Sequence, residues 1–273
     1  MRWRLPGGKP GPYVAALCLY AICLLVLAPA TLLDVALKRA THERLRLPEA
    51  HGSLWDGAGQ LELRDPGGHA GVGTAIRWTF QPSSLLRGRL GFEIVIGDAA
   101  RGFPASLSPF GLELHDADFL LPASALGVAT PRMALLKPTG DLQVRIPALS
   151  YRGDVLAGDG VVNWMSAASA LTPVAPLGDY ELRFVGKPNG LHVSLRTISG
   201  PLRLDGGASR MDDQPLVLFA TARVDAQHQE QLAPFLRLIA IQRSAGIYEL
   251  QLHQFTDRPA TSRPAGQRSG AAQ

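Results

Sequence analysis

The chain has little of several residue types that mark particular classes of protein. Only two of its 273 residues are cysteine, and both lie near the N-terminus, so the remainder has neither a disulfide nor a thiolate metal site. Charged residues make up 18% of the sequence, and residues 34–253 contain 21 basic and 22 acidic side chains. Because this charge is nearly balanced, we expect no nucleic-acid partner.

Motifs of catalytic and cofactor sites are also missing. The sequence contains no HExxH zinc motif, no Walker loop, no G-x-S-x-G element and no paired-cysteine zinc motif. One cluster of potential metal ligands, His115-Asp116-Ala117-Asp118, is interpreted as a solvated edge strand, in which alternation puts His115 on one face and both aspartates on the other. We therefore predict no enzymatic activity, no cofactor and no bound metal.

What the sequence does contain begins with a long apolar segment. Residues 10–33 carry no charge, and Arg2, Arg4 and Lys9 precede them. About 20 apolar residues cross a hydrocarbon core of about 30 Å, and flanking cations stay in the cytoplasm. The pattern predicts a cytoplasmic N-terminus over residues 1–11, a transmembrane anchor over residues 12–33 and a periplasmic body over residues 34–253, attached to a cell inner membrane.

A cleaved signal peptide is the competing interpretation of this segment. Ala28-Pro29-Ala30 has the small-x-small form of a cleavage site. The uncharged run continues through Leu32 and Leu33, which favours an uncleaved anchor. Both interpretations place the body in the same compartment.

The body has the pattern of an all-β domain with an antiparallel sheet. Apolar residues recur with a period of two, and 29 glycines and 21 prolines help to separate these rows at hairpin spacing. Each predicted strand has one apolar face, which needs cover. From these rows we take the lining of an apolar groove that accepts acyl chains: Ile76, Phe92, Ile94, Val144, Phe184 and Val193.

One late amphipathic helix is predicted within residues 231–244. There Leu232, Phe235, Leu236 and Ile239 recur at helical spacing. The polar, aperiodic tail over residues 254–273 is predicted to be disordered.

A weak internal repeat relates residues 73–97 to residues 158–186. Each copy has a strand ending near a tryptophan, Trp78 or Trp164, and a return strand that follows a glycine. The repeat predicts two similar lobes within one elongated, curved sheet.

Several strings of the body occur in an order that resembles one protein family. Gly52–Gly57 has the form G-x-L-W-x-G, and Trp78–Gly88 has the form W-x-x-x-P-x-x-L-L-x-G; later come Leu177–Tyr180, Gly200–Leu204 and the helix near Phe235. In this order they resemble type II secretion system protein N, also called general secretion pathway protein N. The motif residues to which we assign structural roles are Gly52, Trp55, Gly57, Trp78, Pro82, Leu86, Gly88, Gly178, Tyr180 and Gly200.

The resemblance implies an accessory inner-membrane subunit of the type II secretion system, which exports folded proteins from the periplasm across the outer membrane. Its partners would be other subunits of that system. The resemblance also implies a fold like that of the AsmA-like group, whose curved sheets have an apolar trough, and no catalytic residues. One-sided strands leave two functions open: an assembly subunit that pairs its strand edges with proteins, and a lipid-binding or lipid-transfer module.

Overall fold

The computed structural model describes residues 11–64, 70–129, 131–153, 155–211, 217–244 and 246–250. The predicted disordered tail lies outside the described residues, as does nearly all of the predicted cytoplasmic N-terminus. The described residues form five α-helices: α1 (Gly11–Val26), α2 (Thr31–Ala40), α3 (Ser124–Ala129), α4 (Pro131–Leu135) and α5 (Gln229–Arg237).

The same residues form fifteen strands. Their bounds are β1 (Leu45–Arg46), β2 (His51–Gly52), β3 (Asp56–Arg64), β4 (Ala70–Gln81), β5 (Leu90–Ile96), β6 (Phe103–Ser108), β7 (Gly111–Pro122), β8 (Pro138–Arg152), β9 (Val155–Ser169), β10 (Gly178–Lys187), β11 (Gly190–Ser199), β12 (Leu202–Met211), β13 (Val217–Val224), β14 (Ala240–Ser244) and β15 (Ile247–Leu250).

All described strands belong to one antiparallel meander. From β3 to β13 each strand pairs with the next, β1 and β2 both pair with β3, and β15 lies between β13 and β14. Short connections produce this order, as in the hairpin where Pro188 and Asn189 join β10 to β11. The predicted antiparallel β architecture is confirmed.

The two faces of the sheet differ in polarity. Directly opposed residues share a face, and Ile94 lies opposite both Trp78 and Phe103. We call this apolar side the inner face. The outer face carries ion pairs across neighbouring strands, such as Arg145 with Asp118 at 3.2 Å.

Three apolar clusters cover the inner face along the sheet. The first joins Leu33 and Leu37 of α2 to the region around Trp78. The second centres on Phe103, Ala117 and Ile146 in the middle strands. The third lies under α5 and contains the following buried residues: Val174, Leu177, Leu202, Ala222, Val224, Leu232, Phe235, Leu236, Ala240 and Tyr248.

The sheet curves around α3. This helix contacts β8, and it also contacts β3 and β4. In a flat sheet β3 and β8 would be about 24 Å apart, at about 4.8 Å per strand. A short helix can reach both only because the sheet bends towards its inner face.

The predicted single helix over residues 12–33 is not observed. The chain forms the 16-residue α1, an irregular link over residues 27–30, and then α2. Pro29 lacks a backbone N–H, and Ala30 donates its own N–H to Gly52 O at 3.2 Å instead of continuing α1. Among the described residues, no helix has both the length and the apolar character required to cross a membrane.

The late helix is shorter than predicted. α5 ends at Arg237, and Ala240–Ser244 is the edge strand β14. Gly246 lies in the turn between β14 and β15, with φ at +70°. The expectation of only one helix after the apolar segment was also wrong, because α2, α3 and α4 are present.

The two copies of the weak repeat form comparable hairpins of the same sheet. Trp78 on β4 and Trp164 on β9 each lie opposite a residue of the next strand, Ile94 and Tyr180 respectively. Each indole N–H binds a backbone carbonyl of the preceding segment, at Leu54 or Thr139.

Candidate functional site

An apolar cavity of about 290 Å³ lies on the inner face between two helical segments. Strands β9 to β12 form its floor, α3 and α4 cover one side, and α5 covers the other. Its wall consists of apolar atoms from Leu126, Met133, Leu136, Pro138, Trp164, Ala168, Ser169, Leu177, Tyr180, Leu182, Leu195, Leu202, Leu204, Phe235, Ile239 and Leu250.

The polar groups that belong to this wall are bonded away from the cavity. The Tyr180 hydroxyl donates to Leu202 O at 2.9 Å, and the Trp164 indole N–H donates to Thr139 O at 3.0 Å. Burial raises the pKa of Tyr180 well above its usual value. The phenol therefore stays neutral, and both rings present apolar surface to the cavity.

The two covers are held by different interactions. The buried Ser169 donates its hydroxyl to Leu136 O at 2.5 Å, which ties the segment after α4 to β9. α5 is held by apolar burial, since Leu232 and Leu236 are both 0% exposed. The cavity can thus take an apolar group of modest size, near the lower end of the roughly 300–1,000 Å³ of small-molecule sites.

The predicted groove residues lie elsewhere on the inner face. Ile76 and Phe92 pack around Trp78, whereas Ile94, Val144 and Phe184 pack around the middle cluster. Val193 is opposite Phe184. All six are partly buried, and none lines the cavity.

The sequence patterns did not predict the cavity, because they did not predict the helices α3 and α4 that cover it. Leu182, Leu195, Leu202 and Leu204 belong to the apolar rows that the sequence revealed, but these rows run along the whole body. The enclosing residues Leu126, Met133 and Leu136 lie in the connection between β7 and β8. The run Ala123–Leu136 of this connection was the available signal, because it is nearly uncharged and long enough for a helical cover.

The Gly52–Gly57 motif connects α1 to the sheet. Leu54 donates its N–H to Ala28 O at 2.8 Å, and the Trp55 indole donates to Leu25 O, near the end of α1, at 2.9 Å. The Trp55 ring is half-buried and lies 4.8 Å from the Phe80 ring. This motif therefore fixes the end of the apolar helix.

Close approach explains two of the motif glycines. A Cβ on Gly57 would lie 2.5 Å from the Trp78 ring, which is only 5% exposed. A Cβ on Gly200 would lie 2.3 Å from the Cα of Gly178. The packing at both places therefore requires a residue without a side chain.

The Pro82–Gly88 part of the motif forms a turn. Pro82–Arg87 is a short 3-10 helix, and Gly88 ends it with φ at +68°. Leu86 differs from its expected structural role, because its side chain is 92% exposed and stabilises nothing by burial.

The cluster of potential metal ligands has a different geometry from the predicted one. Asp116 has φ at +49° and interrupts the alternation of β7, so the next residue, Ala117, is the one that is buried. His115 and Asp118 thus lie on the outer face, where Asp118 pairs with Arg145. In the described parts of the chain, no three His, Cys, Asp or Glu side chains are grouped to hold a metal ion.

Comparison with known proteins gives one family. The family described as type II secretion system (T2SS), protein N, matches residues 43–251, which is most of the chain and includes every strand of the sheet. Comparison with curated proteins and with solved structures gives no match.

Proposed function

Because the chain belongs to the type II secretion system protein N family, we propose that it is an accessory inner-membrane subunit of that system. In this role α1 anchors the protein, and the sheet lies in the periplasm. The protein supports the export of folded proteins across the outer membrane and contacts other subunits of the system. We propose no catalytic role, and the absence of enzymatic activity stays a prediction.

The observation that carries the proposal is the environment of α1. Apolar side chains on every side of this helix are exposed, with Tyr13 at 76%, Leu17 at 67% and Leu19 at 63%. A helix that is apolar all round belongs in an apolar medium. Its end is fixed to the Gly52–Gly57 motif by backbone and indole hydrogen bonds. Such an attachment suits a body held at a membrane.

Topology and secretion are tested separately. After carbonate extraction, the protein should stay with the inner membrane. In spheroplasts, a cysteine at the exposed Ile198 should react with a membrane-impermeant maleimide, whereas Cys18 in α1 should not. Release of the protein by carbonate, or equal labelling at both positions, would overturn the anchor.

The secretion test uses a bacterium that makes this protein with a type II system. Deletion of the gene should leave folded substrates in the periplasm, and the full chain should restore their export. Export that continues unchanged in the deletion strain would contradict the role in secretion. It would leave the topology result intact.

Strand addition at β14 is the proposed mode of contact with other subunits. β14 is the last strand of the sheet, and within the described residues it pairs only with β15. An open strand edge offers unpaired backbone groups to a partner strand. A photo-crosslinker at the exposed Ile241 should capture a subunit of the system, whereas one at Ile198, far from the edge, should not.

A lipid-binding or lipid-transfer role is the second candidate, and the cavity favours it. Its enclosure by α3, α4 and α5 and its apolar wall suit part of an acyl chain. The predicted groove over the middle strands is an alternative location for the same ligand. The two locations make different predictions for single positions.

Photo-crosslinkers at Leu195 in the cavity and at Phe184 in the groove distinguish these locations. Capture of phospholipid at Leu195 only would assign the ligand to the cavity, and capture at Phe184 only would assign it to the groove. The variant Leu195→Trp should fill the cavity and reduce co-purified lipid. Ile198→Trp, on the outer face of the same strand, is the matched control. Equal lipid in both variants and no capture at either position would remove this candidate.

A further inference from the structure

The turns of the meander divide between two ends of the sheet. One end carries the turn after β4, the turn between β6 and β7, and the turn between β8 and β9. β3 also starts at this end, and Trp55, just before it, accepts a hydrogen bond from Phe80 N at 2.6 Å. Because Trp55 holds the end of α1, we call this the anchor end.

Apolar side chains stand exposed at three successive turns of the anchor end. Leu86 is 92% exposed and Phe110 is 79% exposed, with Leu85 and Val155 beside them at 53% and 38%. These four residues are defined as the apolar rim. Neighbouring hairpins are separated by about 10 Å, so the rim extends over about 20 Å of the sheet edge. Turns normally carry polar residues, and a row of exposed apolar turns therefore indicates an apolar partner.

Basic side chains accompany the apolar rim. Arg87 follows Leu86 directly, and Lys187 and Arg210 lie at the neighbouring strand ends; all three are exposed and form no ion pair with a described residue. Arg89 and Arg152 share the single carboxylate of Glu113. Exposed apolar tips beside arginine and lysine match the headgroup level of a bilayer.

We propose that the anchor end rests on the bilayer that holds α1, with the apolar rim inserted at headgroup level and the nearby basic groups against lipid phosphates. This inference rests on the proposed function, because it takes α1 as the membrane anchor. It orients the whole body. The strands then run roughly perpendicular to the membrane surface. The end with α3 and α5 projects about 40 Å away from the membrane, which is the length of a twelve-residue strand.

The segment before β14, which pairs through β15 level with the middle of β13 and far along the sheet from β4, supplies a matched control for the rim. Leu238, just after α5, is 67% exposed, an exposure similar to that of the rim residues. It lacks their proximity to α1. A general tendency of exposed leucines to enter lipid would affect Leu238 and Leu86 alike, whereas the proposed orientation affects Leu86 alone.

The experiment uses the full chain with both native cysteines replaced by alanine and one new cysteine at Leu86, Phe110 or Leu238. Each variant is labelled with an environment-sensitive fluorophore and reconstituted in vesicles of phosphatidylethanolamine and phosphatidylglycerol, with or without doxyl-labelled lipid. The doxyl lipid should remove most of the fluorescence at Leu86 and Phe110, and little at Leu238.

A separate variant, Cys23→Ala, keeps Cys18 as the single cysteine, and a label on Cys18 separates this inference from the proposed function. Quenching at Cys18 without quenching at the rim would overturn the inference and leave the anchor intact. No quenching at Cys18 would overturn the anchor, and the inference with it. Rim labels that are shielded in native inner membranes but insensitive to doxyl lipid would assign the rim to a protein partner, and would also overturn the bilayer orientation.

Discussion

Helix α2 covers the first strands of the sheet and α5 covers the last strands. The apolar space beneath the two helices is filled to different degrees. Under α2, the Trp78 ring fills the inner face and lies against Gly57, where a Cβ would come within 2.5 Å of it. Under α5, Leu232 and Leu236 are completely buried, yet the apolar cavity remains beside them. The same strand pattern thus gives a filled end at the first strands, under α2, and a partly open end at the last strands, beside α5.

The origin of the cover explains part of this difference. Beside the cavity the cover comes from two separate parts of the chain, α3–α4 and α5, which line it from two sides without filling it. The filled end is therefore suited to attachment to α1, and the open end to a ligand.

The largest expected effect comes from removing the aromatic ring of the filled end. Trp78→Ala should lower the free energy of unfolding by about 3–5 kcal/mol, because the ring is buried. Trp164→Ala should cost about 1–2 kcal/mol, since Trp164 is only half-buried and borders the cavity. Urea unfolding of the full chain in detergent measures both. Equal losses would remove the distinction between the ends.

A second variant tests how strongly the open end depends on α5. Leu236→Ala should lower the free energy of unfolding by about 3 kcal/mol, because Leu236 is 0% exposed. The control Leu238→Ala, two residues later and 67% exposed, should change it by less than about 0.5 kcal/mol. The same urea titration applies. A loss at Leu236 no greater than at Leu238 would mean that α5 is not an integral cover.

The sheet could be predicted from the sequence because the alternating pattern and the turns that produce it are local features of the chain. The rows around Trp78, Phe92 and Phe184 alternate with polar residues, and short turns join them, so the antiparallel order follows directly. The glycine and tryptophan motif could be assigned a structural role for the same reason. Its contact with α1, however, joins Trp55 to Leu25, thirty positions apart, and no local pattern encodes that pairing.

The cavity could not be predicted, since it depends on which segments cover which strands. Leu126 and Phe235 line the same cavity although more than a hundred residues separate them. The sequence could not locate the end of α5, because Ile239 and Ile241 fit both the apolar face of a helix and the alternation of a strand. Pairing of β14 with β15 decides between the two, and pairing is a tertiary effect.

A smaller effect is expected at the ion pair that secures α2 to the filled end. Arg46 donates two hydrogen bonds of 3.0 Å to Asp34, and Leu47 N adds a third at 2.7 Å. Asp34→Asn should cost about 2 kcal/mol, because it removes the charge that these donors bind. The matched control is Glu43→Gln, whose pair with Lys38 is exposed.

The pH dependence of this pair has a definite sign. The hydrogen bonds from Arg46 hold the pKa of Asp34 below its usual value of 3.8. As the pH falls, Asp34 therefore takes up a proton in the unfolded chain before it does so in the folded protein. The stabilisation is fully present above the unfolded pKa of 3.8 and is lost as the pH falls through the lower pKa of the folded state. The stability difference between the wild type and Asp34→Asn should shrink in acid. A difference that does not change with pH would contradict the ion pair.

The smallest effect concerns the hydroxyl that keeps the cavity wall apolar. Tyr180→Phe removes the bond to Leu202 O and should cost about 1 kcal/mol at neutral pH. Because burial raises the pKa of Tyr180 above its usual value of 10, the folded state keeps the phenol neutral while the unfolded chain ionises it. Wild-type stability should therefore fall as the pH rises above 10, whereas the Phe variant lacks this loss, and the disadvantage of the variant should disappear in alkali. Urea titrations of both proteins at neutral and alkaline pH measure the difference. A constant difference would indicate that Tyr180 is hydrated, and that the open end admits water where the structure has a dry wall.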